Sequence, residues 1–98
     1  MPLAVQLAHA GRKASSQPPW EGGALLSPAQ GGWETVAPSA IPQLEGEVPP
    51  AALTLEHIAH IKQDFVNAAI RAKRIGIEAL ELHAAHGYLL HQFVSPVS

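Results

Sequence analysis

Glu78-Ala79-Leu80-Glu81-Leu82-His83-Ala84-Ala85-His86-Gly87-Tyr88 is the stretch on which the fold turns. Its first half reads as a strand. Strand side chains alternate between two faces, so Leu80 and Leu82 share one and Glu81 and His83 share the other. Leu82 is then expected to face a helix and His83 a ligand. Glu81 is expected as a buried carboxylate that anchors a neighbouring basic group rather than performing chemistry. The second half gathers two imidazoles and a phenol where the strand ends.

Just upstream, Ile58, Ile61, Phe65, Ala68, Ala69, Ala72 and Ile75 recur at three- and four-residue spacing, the mark of one apolar stripe along a helix. Thr54 suits its N-cap, Glu56 its first turn, and Lys73 and Arg74 its last turn. Gly76 suits a left-handed C-terminal cap. The spacing therefore predicts a helix over 54–76 and a strand over 77–83. Further back, Leu3-Ala4-Val5-Gln6-Leu7 reads as a second short strand, expected to be buried, with Val5 and Leu7 outward and Gln6 inward.

Between that strand and the helix, residues 10–50 are rich in Pro, Gly and Ser, with turn-forming pairs at Pro18-Pro19, Gly22-Gly23, Gly31-Gly32 and Pro49-Pro50. They read as one long loop, and a loop of that length within a compact domain is more often functional than a linker. Trp20 and Trp33 are expected to pin it to the body. Tyr88 to Val94 begins either a further helix or an ordered loop. The order strand, loop, helix, strand is that of a right-handed crossover between parallel strands, hence an α/β fold. In an α/β barrel, inward residues at the carboxyl ends of strands build the active site.

Composition narrows the classes. The chain has 98 residues, 47% hydrophobic, with a formal net charge of -2. That balance suggests neither a disordered tail nor an electrostatic nucleic-acid binder. No apolar run approaches the length of a membrane span, and no signal-peptide order is seen at the start. Zero cysteines exclude disulfides and thiolate metal sites and fit a reducing, cytoplasmic setting.

Three motifs then appear in order: Gln6-Leu7-Ala8-His9-Ala10-Gly11-Arg12-Lys13, Ala37-Pro38-Ser39-Ala40-Ile41-Pro42, and His83-Ala84-Ala85-His86-Gly87-Tyr88-Leu89-Leu90-His91-Gln92-Phe93-Val94-Ser95-Pro96. Together they resemble the Old Yellow Enzyme family of FMN-dependent ene-reductases, most closely its bacterial NADH:flavin oxidoreductase branch. The resemblance covers nearly the whole chain. It implies a (β/α)8 TIM barrel of which residues 1–98 supply the third and fourth strands and the helix between. Residues 10–50 would then lie on the active-site face.

Such barrels typically need about 250 residues, so the implied partner is the remainder of the barrel and the chain alone is expected to be inactive. The resemblance further implies FMN as cofactor, NAD(P)H as co-substrate and an activated alkene, such as an enone, as small-molecule substrate. Gln6 would bind the polar edge of the flavin, since an amide offers both donor and acceptor. His83 and His86 would bind the substrate's oxygen, and Tyr88 would supply a proton. Arg12 is a weaker candidate. The resemblance carries no nucleic-acid or membrane partner, and it leaves homo-oligomerisation of the full-length protein open. Departures occur at Gln43, where an aromatic is common, at Ile77-Glu78, where Phe-Asp is common, and at His86, where many relatives have Asn.

Other readings of the same residues are open. His9 and His91 read better as hydrogen-bonded structural residues, and His57 and His60 as solvated helix positions. Tyr88 could be core packing. A zinc site could be built from His83, His86 and either His9 or His91, though no HExxH arrangement supports it. A non-catalytic interaction piece is the third class. No Gly-x-Gly-x-x-Gly fingerprint occurs, as expected of a nicotinamide that binds without a dinucleotide-binding domain.

Overall fold

Helix α1 spans Leu55–Arg74 in the computed structural model, which describes residues 2–96. Both of its ends are set by the residues that the pattern singled out. The Thr54 hydroxyl accepts from the His57 N–H at 3.1 Å, which satisfies one of the unpaired amides of the first turn. At the other end Gly76 takes φ +89°. Its N–H bonds to the Lys73 carbonyl at 3.1 Å, and the Ile77 N–H to the Ala72 carbonyl at 3.0 Å. These paired back-bonds are those of a Schellman cap, which reverses the chain toward the next strand. Ile75 is the C-cap itself and stands exposed, so the packed stripe stops at Ala72.

Strands β1 (Ala4–Leu7) and β4 (Ala79–Leu82) pair in parallel, with Gln6 opposite Glu81 and Leu7 opposite Leu82. The ladder extends one bond each way, from the Glu78 N–H to the Leu3 carbonyl at 3.1 Å and from the His83 N–H to the Leu7 carbonyl at 2.9 Å. Strand, helix and parallel strand thus form the expected α/β unit.

Helix α1 lies on the face carrying Val5 and Leu7, both half-buried, and leaves the Gln6 face open. It packs against β1 more than against β4. As a result Leu80 and Leu82 are not fully covered: Leu82 is 58% exposed and borders an open apolar groove with Ile58, Ile61, Phe65 and Leu89. Glu81, expected to be buried, is exposed as well.

The segment between β1 and α1 is more structured than one long loop. Single 3-10 turns occupy Gly11–Lys13, Pro19–Glu21 and Pro28–Gln30. An antiparallel bridge joins Ser16 to Leu25, flanked by bonds from the Leu26 N–H to the Ser15 carbonyl at 2.7 Å and from the Gln17 N–H to the Ala24 carbonyl at 2.8 Å. Strands β2 (Val36–Ala37) and β3 (Ala51–Ala52) pair in parallel and return the chain to α1. The tryptophans do not pin this segment. Trp20 is 84% exposed, because it sits in the turn at the tip of the Ser16–Leu25 excursion, and Trp33 is also exposed.

After β4 the chain turns through residues 83–88 into α2 (Leu89–Val94), with Tyr88 as its N-cap. Of the two readings left open there, the helix holds. Met1, Val97 and Ser98, included in the expected domain span of 1–98, lie outside the described residues. Among the described residues, no helix is long and apolar enough to cross a membrane.

Candidate active site

The carboxyl ends of β1 and β4 place Gln6, Glu81 and His83 on the face opposite α1. Gln6 and Glu81 are paired in register, and the Gln6 Nε2 donates to Glu81 Oε1 at 2.5 Å. This bond fixes the amide: its nitrogen turns to the carboxylate and its Oε1 is left to accept from another donor. Glu81 therefore holds an amide, not the basic group expected of it. His83 stands two residues beyond Glu81, on the same face and about 7 Å further along the strand.

The His83 ring is oriented by its own turn. Its Nδ1 accepts from the Ala85 N–H at 3.3 Å, so the neutral ring carries its proton on Nε2 and presents a donor outward. His86 meets His83 edge to face, with centroids 5.1 Å apart and planes at 88°; Tyr88 does the same at 4.9 Å and 82°. The structure thus gathers His83, His86 and Tyr88 around one imidazole. His83 and Tyr88 are half-buried and His86 is exposed.

Consecutive left-handed residues make this grouping possible, His86 at φ +59° and Gly87 at φ +74°. For a residue with a β-carbon such a backbone is uncommon and persists where surrounding contacts impose it. The contacts are present. The His86 carbonyl accepts from Lys13 Nζ at 2.7 Å, the Gly87 N–H donates to His91 Nδ1 at 2.8 Å, and the Gly87 carbonyl accepts from Gln92 Nε2 at 2.6 Å. Lys13 Nζ also lies 5.6 Å from the centroid of the Tyr88 ring, within range of a weak cation–π contact.

His9 and His91 each accept a backbone hydrogen bond, as their pattern suggested. The His9 Nδ1 accepts from the Gly11 N–H at 3.0 Å, and burial holds its pKa below the usual imidazole value against the opposing pull of Asp64. His57 and His60 are exposed on α1. Among the described residues no three His, Asp or Glu side chains gather to hold a metal ion, so the four histidines named for zinc do not form that site. Arg12 is half-buried, with Nε and Nη2 buried and without a partner among the described residues.

Gln92 was not singled out by the sequence reading. It is 3% exposed, and besides its bond to Gly87 its Oε1 takes a long, 3.5 Å contact from the Arg12 N–H. Its available signal was a polar pair, His91-Gln92, interrupting the apolar run Leu89-Leu90-Phe93-Val94.

Against known proteins, the model of the NADH:flavin oxidoreductase / NADH oxidase family matches residues 2–98. The chain belongs to this family. The resemblance carried by the three motifs is thereby borne out. An NADH:flavin oxidoreductase of Gibberella zeae is 54% identical over 100 residues, covering 98% of this chain and 24% of that protein. An NADPH dehydrogenase of Listeria innocua is 49% identical over 94 residues, covering 96% of this chain and 23% of the relative. One from Bacillus velezensis is 47% identical over 96 residues, covering 98% and 24%. The chain therefore spans about a quarter of the length of the curated relatives it matches.

The family is one of FMN-dependent NAD(P)H oxidoreductases, and the exposed donor set suits that cofactor. With its nitrogen held by Glu81, the Gln6 amide offers an acceptor oxygen and a second N–H side by side, a pair that complements the alternating polar edge of a fused pyrimidine. The face around it carries no bulky apolar side chain from β1 or β4, since Val5, Leu7, Leu80 and Leu82 all point the other way.

Proposed function

We propose that this chain supplies the third and fourth strands of a (β/α)8 barrel that uses FMN to carry hydride from NAD(P)H to an electron-poor alkene such as an α,β-unsaturated carbonyl. The observation that carries the reading is the clustering of His83, His86 and Tyr88 at the end of a strand whose parallel neighbour ends in Gln6. Gln6 would hold the polar edge of FMN, oriented by Glu81. When bound, FMN supplies the hydride acceptor and donor. The substrate would bind with its carbonyl oxygen toward His83.

His83 donates from Nε2, because Nδ1 is occupied by the Ala85 amide. His86 donates beside it. As the β-carbon gains hydride, negative charge grows on the substrate oxygen, and two aimed donors stabilise it there by roughly 3 kcal/mol each in comparable oxyanion sites. Tyr88, held edge-on against His83, keeps a phenolic proton available for the α-carbon. The residues named, the assignment of strands and the placing of residues 10–50 on the active-site face all belong to this one reading. A cytoplasmic location is part of the same proposal, and the chain's lack of cysteine is compatible with it.

The experiment is a separation of half-reactions in the complete barrel protein. In His83→Ala, phenol-type ligands should bind more weakly, and alkene reduction should slow by about a hundredfold while flavin reduction by NAD(P)H slows less. Tyr88→Phe should spare flavin reduction and impair alkene reduction. Equal losses in both half-reactions for His83→Ala would remove the oxygen-binding role, and an unchanged alkene rate in Tyr88→Phe would return that residue to packing.

A further inference from the structure

The turn that carries His86 and Tyr88 is held by side chains the proposed chemistry does not use. Gly87 lies between them, and both of its peptide groups are engaged by adjacent residues of α2: the N–H by His91 Nδ1 at 2.8 Å and the carbonyl by Gln92 Nε2 at 2.6 Å. Gln92 is the more deeply set of the two, one of the few buried polar side chains among the described residues. Its other amide end faces the Arg12 N–H.

The opposite wall has been left open for it. A β-carbon at Gly11 would stand 2.8 Å from Gln92 Nε2 and 2.9 Å from Gln92 Cδ, closer than side chains pack. Gly11 is itself at φ +61°. The Leu89 N–H completes the junction by donating to the His9 carbonyl at 2.9 Å. One buried amide thus joins the turn after β1 to the turn after β4, on the backbone of the residue separating His86 from Tyr88.

We propose that Gln92, assisted by His91, is a positioning residue: it fixes the Gly87 peptide so that consecutive left-handed residues aim His86 and Tyr88 at His83. Without the two bonds Gly87 can rotate, and His86 is left with the Lys13 bond alone to hold it in an unfavourable backbone conformation. The rings would then scatter, while Gln6 and the strand pairing stay in place. The inference rests on the roles proposed above for His83, His86 and Tyr88.

The test uses the complete FMN-loaded protein, with a para-substituted phenol as oxygen-site probe and the two half-reactions measured separately. Gln92→Met keeps the volume and removes both amide bonds. It should weaken phenol binding and slow alkene reduction by about tenfold or more, as small misplacements of reacting groups do, while flavin reduction changes by less than about threefold. His91→Ala should shift both readouts in the same direction by less. His91→Asn, whose Oδ1 can accept where Nδ1 did, should restore them. His91 is exposed, so this pair gives an answer even if Gln92→Met does not fold.

A merely structural glutamine would lower thermal stability or FMN content and leave the ratio of the two half-reactions unchanged; that result, or an unaltered phenol affinity in His91→Ala, would overturn the proposal. His83→Ala measured alongside separates the two readings. If His83→Ala weakens phenol binding and the clamp variants do not, positioning by Gln92 fails alone. If His83→Ala has no effect, the oxygen site itself is misassigned.

Discussion

The start and the middle of the segment that follows β1 are built on different principles. At its start, residues 9–13 are fastened to residues 86–92 by side-chain and backbone bonds that converge on buried Gly11, Leu89 and Gln92. In its middle, the excursion from Ser16 to Leu25 is closed by one isolated bridge and carries a Trp at its tip that is almost wholly in solvent. Polar bonds, more than apolar burial, give the first region its definition; apart from Pro50, only Ala37, Ala72 and Leu89 are buried apolar side chains among the described residues. Side chains that must hold one geometry are where the bonds are concentrated, as expected of a site whose function depends on orientation.

The contrast can be broken at its strong end first. Gly11→Ala should be the most damaging small change, because it puts a β-carbon against the Gln92 amide at a position already at φ +61°. A loss of about 2 kcal/mol or more is expected in unfolding of the complete protein. Stability within error of the wild type would mean that the junction is loosely packed after all.

Next in size is a pH effect at the same junction. Burial lowers the pKa of His9 from its ordinary 6.5, so the unfolded chain takes up this proton at a higher pH than the folded one. Its contribution to stability is full above the unfolded value and is lost as pH falls from there through the folded value. The thermal midpoint should therefore drop on acidification below about pH 6.5, and His9→Gln should flatten that part of the profile. Parallel profiles for the two proteins would rule out His9 as the cause.

The smallest effect belongs to the excursion's tip. Trp20→Ser should change stability by no more than about 0.5 kcal/mol, measured by denaturant midpoint. A larger loss would show that the excursion is anchored through Trp20 in the complete barrel.

What the sequence made legible follows the same division. Helix α1 was readable to within two residues at either end because its signals are local: a hydroxyl at the N-cap, a stripe, a glycine that permits φ +89°. The parallel pairing of β1 with β4 followed from the helix between them. Strands β2 and β3 were not readable, since two residues each leave no alternation to detect. The cluster of His83, His86 and Tyr88 stood out by proximity in sequence, whereas Glu81 acquires its part from a partner 75 positions away and Gln92 links Gly87 to Arg12, 80 positions back. A side chain's type is written in the sequence, but its hydrogen-bond partner is decided by topology.

The most direct measurement is a crystal structure of the complete protein with FMN and a phenol-type ligand. The account predicts the ligand oxygen within hydrogen-bond distance of His83 Nε2 and of the His86 ring, with the Gln6 amide on the polar edge of the flavin and its nitrogen still held by Glu81. Finding the flavin on the Leu80 and Leu82 face, or the ligand oxygen beyond reach of both imidazoles, would contradict it.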